Sequence, residues 1–450
     1  MEKEKHFYIE TFGCQMNEFD SERISYSLQE NGYRYTSEIR KADVIIINTC
    51  SVRKRAENRL YGHIGNLKAL KLEKPDLVIC IGGCTAQDLK SRIIEDFPFV
   101  DIVFGTKNQG ILPALIEKKI ELKRSICETG EDYHTFEHIY DFDRKFKFKA
   151  FLPVMVGCNN FCSYCIVPYV RGPELSVAPE LILKAVKELV KNGVIEIMLL
   201  GQNVNSYGND LKDKSATGKK LLNFAELLNE VAQADGLKRI RFMTSHPKDF
   251  TEELIDVIEK NKNIMKHVHL PLQAGSDRVL DLMNRKYSRT FYIDLYGKIK
   301  DRMPECSITT DIIVGFPQEQ YKDFLQTLEA VKMLRFNRVF TFIYSGRKGT
   351  AAERLKDTVS RDEKKIWFRN LVETQNDISL EENLKLVGRD FDVLVEGQSK
   401  RKGGLLEGRL ENNSIVNFSG GPELTGTIKR VKITQAKSFY FNGELQGDEK

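Results

Sequence analysis

The first part of the chain alternates short apolar runs with amphipathic stretches. Apolar runs occupy residues 6–12, 44–48 and 77–82, and stretches with a helical period, such as 20–31 and 56–72, lie between them. Short apolar runs bounded by turn residues predict buried strands. Strands that alternate with helices predict a parallel sheet with helices on its faces. We therefore assign residues 1–125 to an α/β domain built on a parallel sheet.

The middle of the chain, residues 149–380, repeats a strand-then-helix pattern six times. The predicted strands are 151–156, 195–200, 239–244, 267–272, 308–314 and 339–344, and the predicted helices include 179–192, 224–234, 252–261, 278–283 and 321–334. Six such units predict an open partial (β/α)6 barrel. In barrels of this kind the active site is built from the loops at the carboxyl ends of the strands.

The last segment, residues 381–446, changes to five short runs divided by glycine and Asn-Asn turns, which predicts a small β-barrel. A barrel of this size resembles nucleic-acid-binding modules of the oligonucleotide-binding type. Basic residues cluster at 400–402 and at Lys429, Arg430 and Lys432, and three aromatic residues that could stack on bases follow, namely Phe439, Tyr440 and Phe441. These aromatics could equally be core and the lysines a solvated edge. Residues 126–148, rich in charge and aromatics, are interpreted as a surface linker.

Composition narrows the setting in which the chain works. Of its 450 residues 41% are apolar and 30% are charged, no apolar run approaches a membrane span, and the first residues lack the apolar core of a signal peptide. We therefore expect a cytoplasmic protein with no membrane association. Thiols stay reduced there, so nine cysteines suggest metal binding rather than disulfides. The net charge of +5 permits nucleic-acid binding without requiring it.

Cys158, Cys162 and Cys165 form a C-x3-C-x2-C array after the first strand of the predicted partial barrel. Structural zinc sites usually close with four ligands. Three thiolates from one short turn suit one face of an iron–sulfur cube whose fourth iron has no protein ligand. The spacing, with an aromatic residue before the last cysteine, resembles the signature of radical S-adenosylmethionine (SAM) enzymes. The array is therefore predicted to be catalytic.

A second set of cysteines follows three successive predicted strands of the first domain. Cys14, Cys50 and Cys84 each stand two residues after the end of an apolar run. Because ligands gather beyond the carboxyl ends of parallel strands, these cysteines are predicted to form a second three-thiolate site. The alternative is that they are ordinary buried cysteines, which we prefer for Cys80. Cys127 and Cys306 lack a cysteine-rich setting and are interpreted as bystanders.

These motifs resemble, in the same order and over nearly the whole chain, those of the methylthiotransferases, radical SAM enzymes with two iron–sulfur clusters. Five phrases point to the branch of the tRNA 2-methylthio-N6-isopentenyladenosine synthases: Gly13-Cys-Gln-Met-Asn17, Asn48-Thr-Cys-Ser-Val-Arg53, Gly82-Gly-Cys-Thr-Ala-Gln87, Gly201-Gln-Asn-Val-Asn-Ser-Tyr-Gly208 and Thr244-Ser-His-Pro-Lys-Asp-Phe250. The resemblance implies an N-terminal domain that holds an auxiliary cluster, a radical SAM core and a C-terminal TRAM barrel that holds RNA.

The resemblance also implies a reaction with two [4Fe–4S] clusters and SAM. The cluster on the C-x3-C-x2-C array generates a 5′-deoxyadenosyl radical, which removes hydrogen from C2 of the isopentenylated adenine at position 37 of tRNA. The cluster on the first domain's cysteines holds the sulfur, and a second SAM supplies the methyl group. The implied partners are the tRNA anticodon stem-loop, an electron donor such as flavodoxin or ferredoxin, and a sulfur source. Gln202, Asn203 and Gln273 are candidate SAM contacts, with packing or helix capping as the alternative.

The chain departs from the family pattern after the radical cysteines. Where the family usually reads Arg-Gly-Arg-Glu-Arg-Ser-Arg, this chain has Pro173, Leu175 and Val177 in place of three arginines. Apolar residues cannot make the bidentate contacts of arginine, so SAM or the tRNA backbone must be held differently. Two other functions stay open: a methylthiotransferase acting on threonylcarbamoyl-adenosine or a ribosomal protein, and an RNA-binding iron–sulfur sensor without catalysis.

Overall fold

The computed structural model describes residues 4–51, 54–130, 144, 146–211, 222–399 and 403–447. The N-terminal part is a parallel sheet of six strands in the order β2-β1-β3-β4-β5-β6. Its elements are β1 (Lys5–Thr11), α1 (Gln15–Glu30), β2 (Tyr33–Tyr35), β3 (Val44–Thr49), α2 (Lys54–Glu73), β4 (Val78–Gly83), α3 (Cys84–Leu89), α4 (Arg92–Asp96), β5 (Ile102–Phe104), α5 (Leu112–Leu122) and β6 (Ile126–Glu128). Separate apolar clusters cover its two faces.

The predicted N-terminal strands are confirmed within one residue at each end, and the sheet also contains strands that were not predicted. β6 pairs with β5 over Ile126–Glu128. The sheet therefore continues into the first three residues of the segment that we interpret as a linker, and residues 131–143 of that segment lie outside the described residues. Short strands such as β2, β5 and β6 have too few residues to show a period of their own.

The middle part contains every strand and helix that the pattern predicted. Its elements are β7 (Lys149–Pro153), β8 (Met155–Val156), α6 (Val167–Arg171), β9 (Leu175–Ser176), α7 (Pro179–Lys191), β10 (Glu196–Leu200), α8 (Phe224–Ala232), β11 (Arg239–Phe242), α9 (Glu252–Lys260), β12 (His267–His269), α10 (Asp277–Leu282), α11 (Arg289–Arg302), β13 (Ser307–Val314), α12 (Tyr321–Leu334), β14 (Arg338–Ile343) and α13 (Arg361–Leu384). The helices α11 and α13 were not predicted, and α13 runs past residue 380, where we placed the domain boundary.

The six main strands of the middle part form an open, curved parallel sheet. β7, β10 and β11 pair in one group, and β12, β13 and β14 in another. A parallel bridge between Ile240 and Ile264 links the two groups. One large apolar core fills the space between the strands and their helices. This is the partial barrel that the sequence predicted, and the loops at the carboxyl ends of its strands share one side.

The C-terminal part is a closed barrel of five strands in the order β15-β16-β17-β19-β18, as predicted. The strands are β15 (Asp390–Gln398), β16 (Leu406–Arg409), β17 (Ile415–Phe418), β18 (Ile428–Ala436) and β19 (Tyr440–Leu445). Phe441 is fully buried in the barrel core, so for this residue the core alternative holds and stacking on bases does not. Phe439 is 48% exposed, with the guanidinium of Arg338 5.3 Å from its ring centroid. The predicted basic cluster at 400–402 lies outside the described residues.

Two buried arginines on β11 attach the C-terminal barrel to the partial barrel. Arg239 donates to the carbonyls of Arg409 and Asp392 at 2.9 and 2.7 Å. Arg241 donates to the carbonyls of Glu411 and Leu410 at 2.8 and 2.7 Å. At the start of β7, Lys149 pairs with Glu396 at 2.6 Å. The C-terminal barrel thus covers the amino ends of the strands, opposite the loops at their carboxyl ends.

Removing one of these arginines should destabilise the protein strongly. Arg241 also pairs with Glu196 at 3.0 Å, and both side chains are almost fully buried. Arg241→Met would leave that carboxylate and two carbonyls short of a partner, at a cost of about 3–5 kcal/mol. The matched control is Arg430→Met, since Arg430 pairs with Asp392 at 3.2 Å where both side chains are more than half exposed. An exposed pair contributes roughly 0–1 kcal/mol.

Chemical denaturation of the two variants and of the unchanged protein gives the test. The quantity to compare is the denaturant concentration at the midpoint of unfolding, because a chain of several domains has no single free energy of unfolding. The midpoint of Arg241→Met should fall well below that of the unchanged protein, while the midpoint of Arg430→Met should stay close to it. Equal midpoints for the two variants would contradict the assignment of the Arg241 contacts as a buried attachment.

Among the helices that the structure describes, none combines the length and the apolar character that a membrane-spanning helix needs.

Candidate active site

Three cysteines meet at the carboxyl edge of the N-terminal sheet because β1, β3 and β4 are neighbours there. Cys14 caps the start of α1, Cys50 follows β3 and Cys84 begins α3 after β4. A Cβ atom added at Gly13 would lie 3.0 Å from the Cβ of Cys50. Cys14 is also close enough to Cys84 to raise the pKa of that thiol, after the larger effect of burial. The structure therefore brings the three residues of the predicted second set together.

Buried amides hold the loops that carry these cysteines. Asn17 donates to the carbonyl of Thr49 at 3.0 Å, and Asn48 donates to the carbonyl of Asn17 at 2.9 Å. Both side chains are fully buried. Gly83, with φ of +89°, turns the chain where an added Cβ would lie 2.3 Å from the carbonyl oxygen of Thr49. The asparagines in the sequence phrases around Cys14 and Cys50 thus fix the spacing between the two loops.

The loop of Cys158, Cys162 and Cys165 follows β8 at the carboxyl side of the partial barrel. The N–H of Cys158 donates to the carbonyl of Gly172 at 3.1 Å, and the N–H of Cys165 donates to the carbonyl of Cys162 at 2.9 Å. Ser163 makes two hydrogen bonds to the end of α10. Its hydroxyl donates to the carbonyl of Leu282 at 2.7 Å, and its N–H donates to the carbonyl of Met283 at 3.0 Å. Contacts from α10 and from Gly172 therefore hold the loop in one shape.

A buried arginine contacts the set of Cys158, Cys162 and Cys165, which we call the first cysteine set. Arg285 donates to the Sγ of Cys162 at 3.3 Å and to the carbonyl of Pro271 at 3.1 Å. Its Nε donates to the hydroxyl of Tyr287 at 3.0 Å. The ring of Tyr287 packs edge-on against His246. Burial and the nearby charge of Arg285 lower the pKa of His246 to about 2. His246 is therefore neutral, and the positive charge beside this cysteine set is that of Arg285.

A second buried arginine joins the two cysteine sets. Arg171 ends α6, the helix that begins two residues after Cys165, and its Nε donates to the Sγ of Cys84 at 3.3 Å. Its Nη2 donates to Asp20 on α1 at 2.8 Å. Burial alone would lower the pKa of Arg171, but Asp20, Cys84 and Cys14 hold it well above its usual value. Sequence reasoning missed both arginines; the retained first arginine of the family motif was the available signal for Arg171.

The donor set in each place fits an iron–sulfur group. Burial raises the pKa of Cys158 to about 11, and burial together with Cys162 raises that of Cys165 to about 12. A coordinating metal deprotonates such a thiol outright. Within the described residues, no three cysteine, histidine, aspartate or glutamate side chains stand where they could share one metal ion. A four-iron cube is larger and binds each thiolate to a different iron, so this spacing does not oppose it.

Two of the three predicted SAM contacts keep an unpartnered buried atom. The Oδ1 of Asn203 and the Oε1 of Gln273 have no hydrogen-bond partner among the described residues, and neither has the hydroxyl of Ser245. These three residues follow β10, β11 and β12 and so share the carboxyl side of the partial barrel. Buried polar atoms without a partner are costly, so they indicate a place for a polar ligand. Ser245 was not predicted.

The third predicted contact, Gln202, already has a partner. Its Oε1 accepts a hydrogen bond from the N–H of Gly157, the residue before Cys158. A side chain at Gly157 is not tolerated, because an added Cβ would lie 1.9 Å from the carbonyl oxygen of Pro173. Gln202 therefore holds the start of the cysteine loop through its Oε1, and a contact of this side chain with SAM stays a prediction.

The three residues that replace family arginines have structural places of their own. Pro173 packs its carbonyl against Gly157, and Leu175 belongs to β9, which pairs with β8. Val177 is fully buried in the core of the partial barrel. Apolar packing and strand pairing fix the backbone of this segment. At Val177 an apolar side chain in the core stands where the family usually has a charged one.

Comparisons with known proteins agree with this arrangement. Three family models match in succession: the uncharacterized protein family UPF0004 over residues 6–105, the radical SAM superfamily over 152–331 and the TRAM domain over 384–445. Among solved structures, the radical SAM methyltransferase TsrM from Kitasatospora setae superimposes with a TM-score of 0.54 at 13% identity, covering 76% of this chain and 73% of its own. The cobalamin-dependent radical SAM enzyme OxsB gives 0.52 at 12%, covering 83% and 56%. These likenesses show the fold.

Relatives of known name match the whole chain. A tRNA-2-methylthio-N(6)-dimethylallyladenosine synthase from Carboxydothermus hydrogenoformans is 46% identical over 98% of this chain and 99% of its own length. Relatives of the same name from Desulforamulus reducens and Clostridium tetani are 45% and 47% identical over 99% and 97% of this chain, and over 96% of their own lengths. The chain therefore belongs to the family of the tRNA-2-methylthio-N(6)-dimethylallyladenosine synthases, which are radical SAM methylthiotransferases.

Proposed function

We propose that this protein adds a methylthio group to C2 of N6-isopentenyladenosine at position 37 of tRNA, and that it uses two [4Fe–4S] clusters and SAM. The observation that carries the proposal is the pair of three-cysteine sets, on two different domains, joined by α6 and Arg171. Cys158, Cys162 and Cys165 would hold one cluster, and Cys14, Cys50 and Cys84 the other. When bound, these groups and SAM supply the radical, the sulfur and the methyl group.

The chain itself provides binding, orientation and exclusion of water. Asn203, Ser245 and Gln273 would bind the polar atoms of SAM through the buried oxygens that have no partner among the described residues. Cys158, Cys162, Cys50 and Cys84 are less than a tenth exposed, whereas Cys165 is partly exposed and Cys14 is exposed. Water is thus excluded from most of each set. Exclusion of water protects a reactive intermediate from side reactions and strengthens the interactions that hold it.

The remaining partners follow from the chemistry of this reaction. C2 of a stacked adenine is not accessible, so the base must be unstacked from the anticodon loop before it reacts. An electron donor, such as flavodoxin or ferredoxin, and a source of sulfur are also required. We place the enzyme in the cytoplasm, where these partners and reduced thiols occur.

The experiment that tests the proposed function is mass analysis of tRNA nucleosides from a strain that lacks the gene. The methylthiolated nucleoside should disappear, N6-isopentenyladenosine should accumulate, and the unchanged gene should restore the product. Loss of a methylthiolated threonylcarbamoyl-adenosine instead, or an unchanged nucleoside profile with loss of a modified ribosomal protein, would transfer the chain to one of the other branches.

We propose that the outer face of β18 contacts the tRNA backbone. Arg430 and Lys432 are exposed on that strand, while Val431 and Ile433 point into the barrel. This barrel lies at the end of the partial barrel opposite the cysteine loop, so it would hold tRNA away from the reacting base. Replacing Arg430 and Lys432 with glutamine should weaken tRNA binding and lower its dependence on salt, because each lost phosphate contact reduces the slope by roughly 0.7–0.9.

The matched control replaces two exposed basic residues of the N-terminal domain, Lys118 and Arg124, with glutamine. This control changes the net charge by the same amount but leaves the C-terminal barrel intact. Filter binding at several salt concentrations distinguishes the two variants. Equal affinity and equal salt slopes would remove the RNA contact from β18. Substitution is preferable to deletion of residues 381–446, because deletion would strip Arg239 and Arg241 of their buried partners.

A further inference from the structure

The radical cysteine loop and the second cysteine set are connected through one short helix. α6 (Val167–Arg171) starts after Cys165, and its apolar side packs against the start of α3, where Ile166 and Val170 contact Cys84. The hydroxyl of Thr106, beyond β5, donates to the carbonyl of Val170 at 2.8 Å. α6 is thus fixed on the N-terminal domain, and its last residue reaches the edge of the sheet where the second cysteine set lies.

That last residue places a fixed positive charge on a sulfur of the second set. Arg171 is 4% exposed, and its Nε lies 3.3 Å from the Sγ of Cys84. Its Nη2 lies 2.8 Å from Asp20, which is also buried. Asp20 belongs to α1, the helix that Cys14 caps. One guanidinium therefore contacts α1 and the Cys84 sulfur together. It pairs with one carboxylate, and that carboxylate also interacts with Arg23 of α1.

The first cysteine set has a different electrostatic arrangement. Arg285 lies at the same distance, 3.3 Å, from the Sγ of Cys162. Its other partners are neutral, the carbonyl of Pro271 and the hydroxyl of Tyr287. The arginine at the first set is thus paired with dipoles, while the arginine at the second set is paired with a buried carboxylate.

We propose that Arg171 and Asp20 act as a pair of positioning residues that set the reduction potential of the cluster held by Cys14, Cys50 and Cys84. The proposal rests on the proposed function for the assignment of those ligands. Net charge and hydrogen bonds to sulfur are among the factors that determine the potential of an iron–sulfur cluster. A guanidinium that donates to a ligand sulfur stabilises the reduced cluster, which carries more negative charge, and so raises the reduction potential. A nearby carboxylate destabilises the reduced cluster and lowers the potential. The two residues should therefore act on the potential in opposite directions.

The test is a redox titration of the reconstituted full-length protein, followed by electron paramagnetic resonance. The cluster of the first set is identified by the change that added SAM causes in its signal, and its potential serves as the internal reference. Arg171→Met should shift the potential of the other cluster to a more negative value. Asp20→Asn should shift it to a more positive value, and the double variant should return toward the unchanged protein.

Arg285→Met is the matched control, because it removes the equivalent contact from Cys162. It should shift the potential of the first cluster and leave the second unchanged. Arg171→Met leaves Asp20 buried without its partner and could lose the second cluster, which iron analysis would detect. In that case Asp20→Asn, which keeps the guanidinium and both donors, decides the question.

The expected pattern is a pair of shifts with opposite signs, confined to the second cluster. Shifts of the same sign for Arg171→Met and Asp20→Asn, or no shift in Asp20→Asn, would overturn the proposal and leave Arg171 with a structural role. Failure of the proposed function has a different signature. The unchanged protein would then bind only one cluster, and iron analysis would show this before any variant is compared.

Discussion

Replacing Cys158, Cys162 and Cys165 with alanine should abolish SAM cleavage and leave about half of the iron on the protein, because in the proposed function each cysteine set holds a cluster through its own thiolates. The two sets lie on different domains, and no cysteine belongs to both. Anaerobic reconstitution with iron and sulfide, iron analysis and measurement of 5′-deoxyadenosine give both quantities. The same assay on the unchanged protein separates an enzyme from an RNA-binding sensor, which would release no 5′-deoxyadenosine.

The matched control is Cys306→Ala. Cys306 is a buried cysteine in the core of the partial barrel, remote in sequence from both sets. It should keep the full iron content, although the loss of a buried side chain costs some stability. Complete loss of iron from the triple variant, with the fold intact by circular dichroism, would contradict the model of two independent sites.

Replacing Cys14, Cys50 and Cys84 with alanine should separate radical formation from sulfur insertion. These cysteines lie at the edge of the N-terminal sheet. The oxygens of Asn203 and Gln273, which have no partner in the described part of the chain, lie at the strand ends of the partial barrel. This variant should therefore still convert SAM to 5′-deoxyadenosine, and should form no methylthiolated nucleoside. Nucleoside analysis and 5′-deoxyadenosine measurement on the same reaction give the two results.

The control for that variant is Cys80→Ala, because Cys80 is a fully buried cysteine of β4 that packs in an apolar cluster of the N-terminal domain. It should retain both products. If the Cys14, Cys50 and Cys84 variant loses SAM cleavage while it keeps about half of the iron, the division of work between the two sets is wrong.

Strong periodicity made most of the fold predictable. The pattern located the six main strands of the partial barrel and the five strands of the C-terminal barrel, because alternating or continuous apolar runs persist there. Helix α13 was missed because its buried stripe is narrow and interrupted. Trp367, Leu371 and Ile378 face the core, but Gln375 occupies the same stripe and bonds the carbonyl of Phe336 at 2.8 Å.

The cysteines of the site were predictable, and their supporting arginines were not. Parallel strands bring residues at their carboxyl ends together, so the positions of Cys14, Cys50 and Cys84 after three strands indicated one site. Arg171 and Arg285 reach the cysteines from elements that are distant in sequence from the contacted residue, 87 and 123 positions away. Such contacts depend on how elements that are distant in sequence pack against one another, and no local pattern encodes them.

The attachment of the C-terminal barrel was likewise invisible in the sequence. Arg239 and Arg241 alternate with apolar residues on β11 and read as the solvent side of a strand. In the structure both are about 2% exposed because the C-terminal barrel covers them. The hydrogen bonds of these two buried guanidinium groups go to backbone carbonyls of the C-terminal barrel, so the guanidinium groups keep these partners only while both domains are present.

The most direct test of the account follows one hydrogen atom. Reconstituted enzyme is supplied with SAM, a reductant and an anticodon stem-loop in which the isopentenylated adenine carries deuterium at C2. If hydrogen is removed from C2 by the radical derived from SAM, mass spectrometry should find deuterium in 5′-deoxyadenosine and the methylthio group on the same base. Methylthiolated product with no deuterium in 5′-deoxyadenosine, or 5′-deoxyadenosine with no change of the base, would contradict the account.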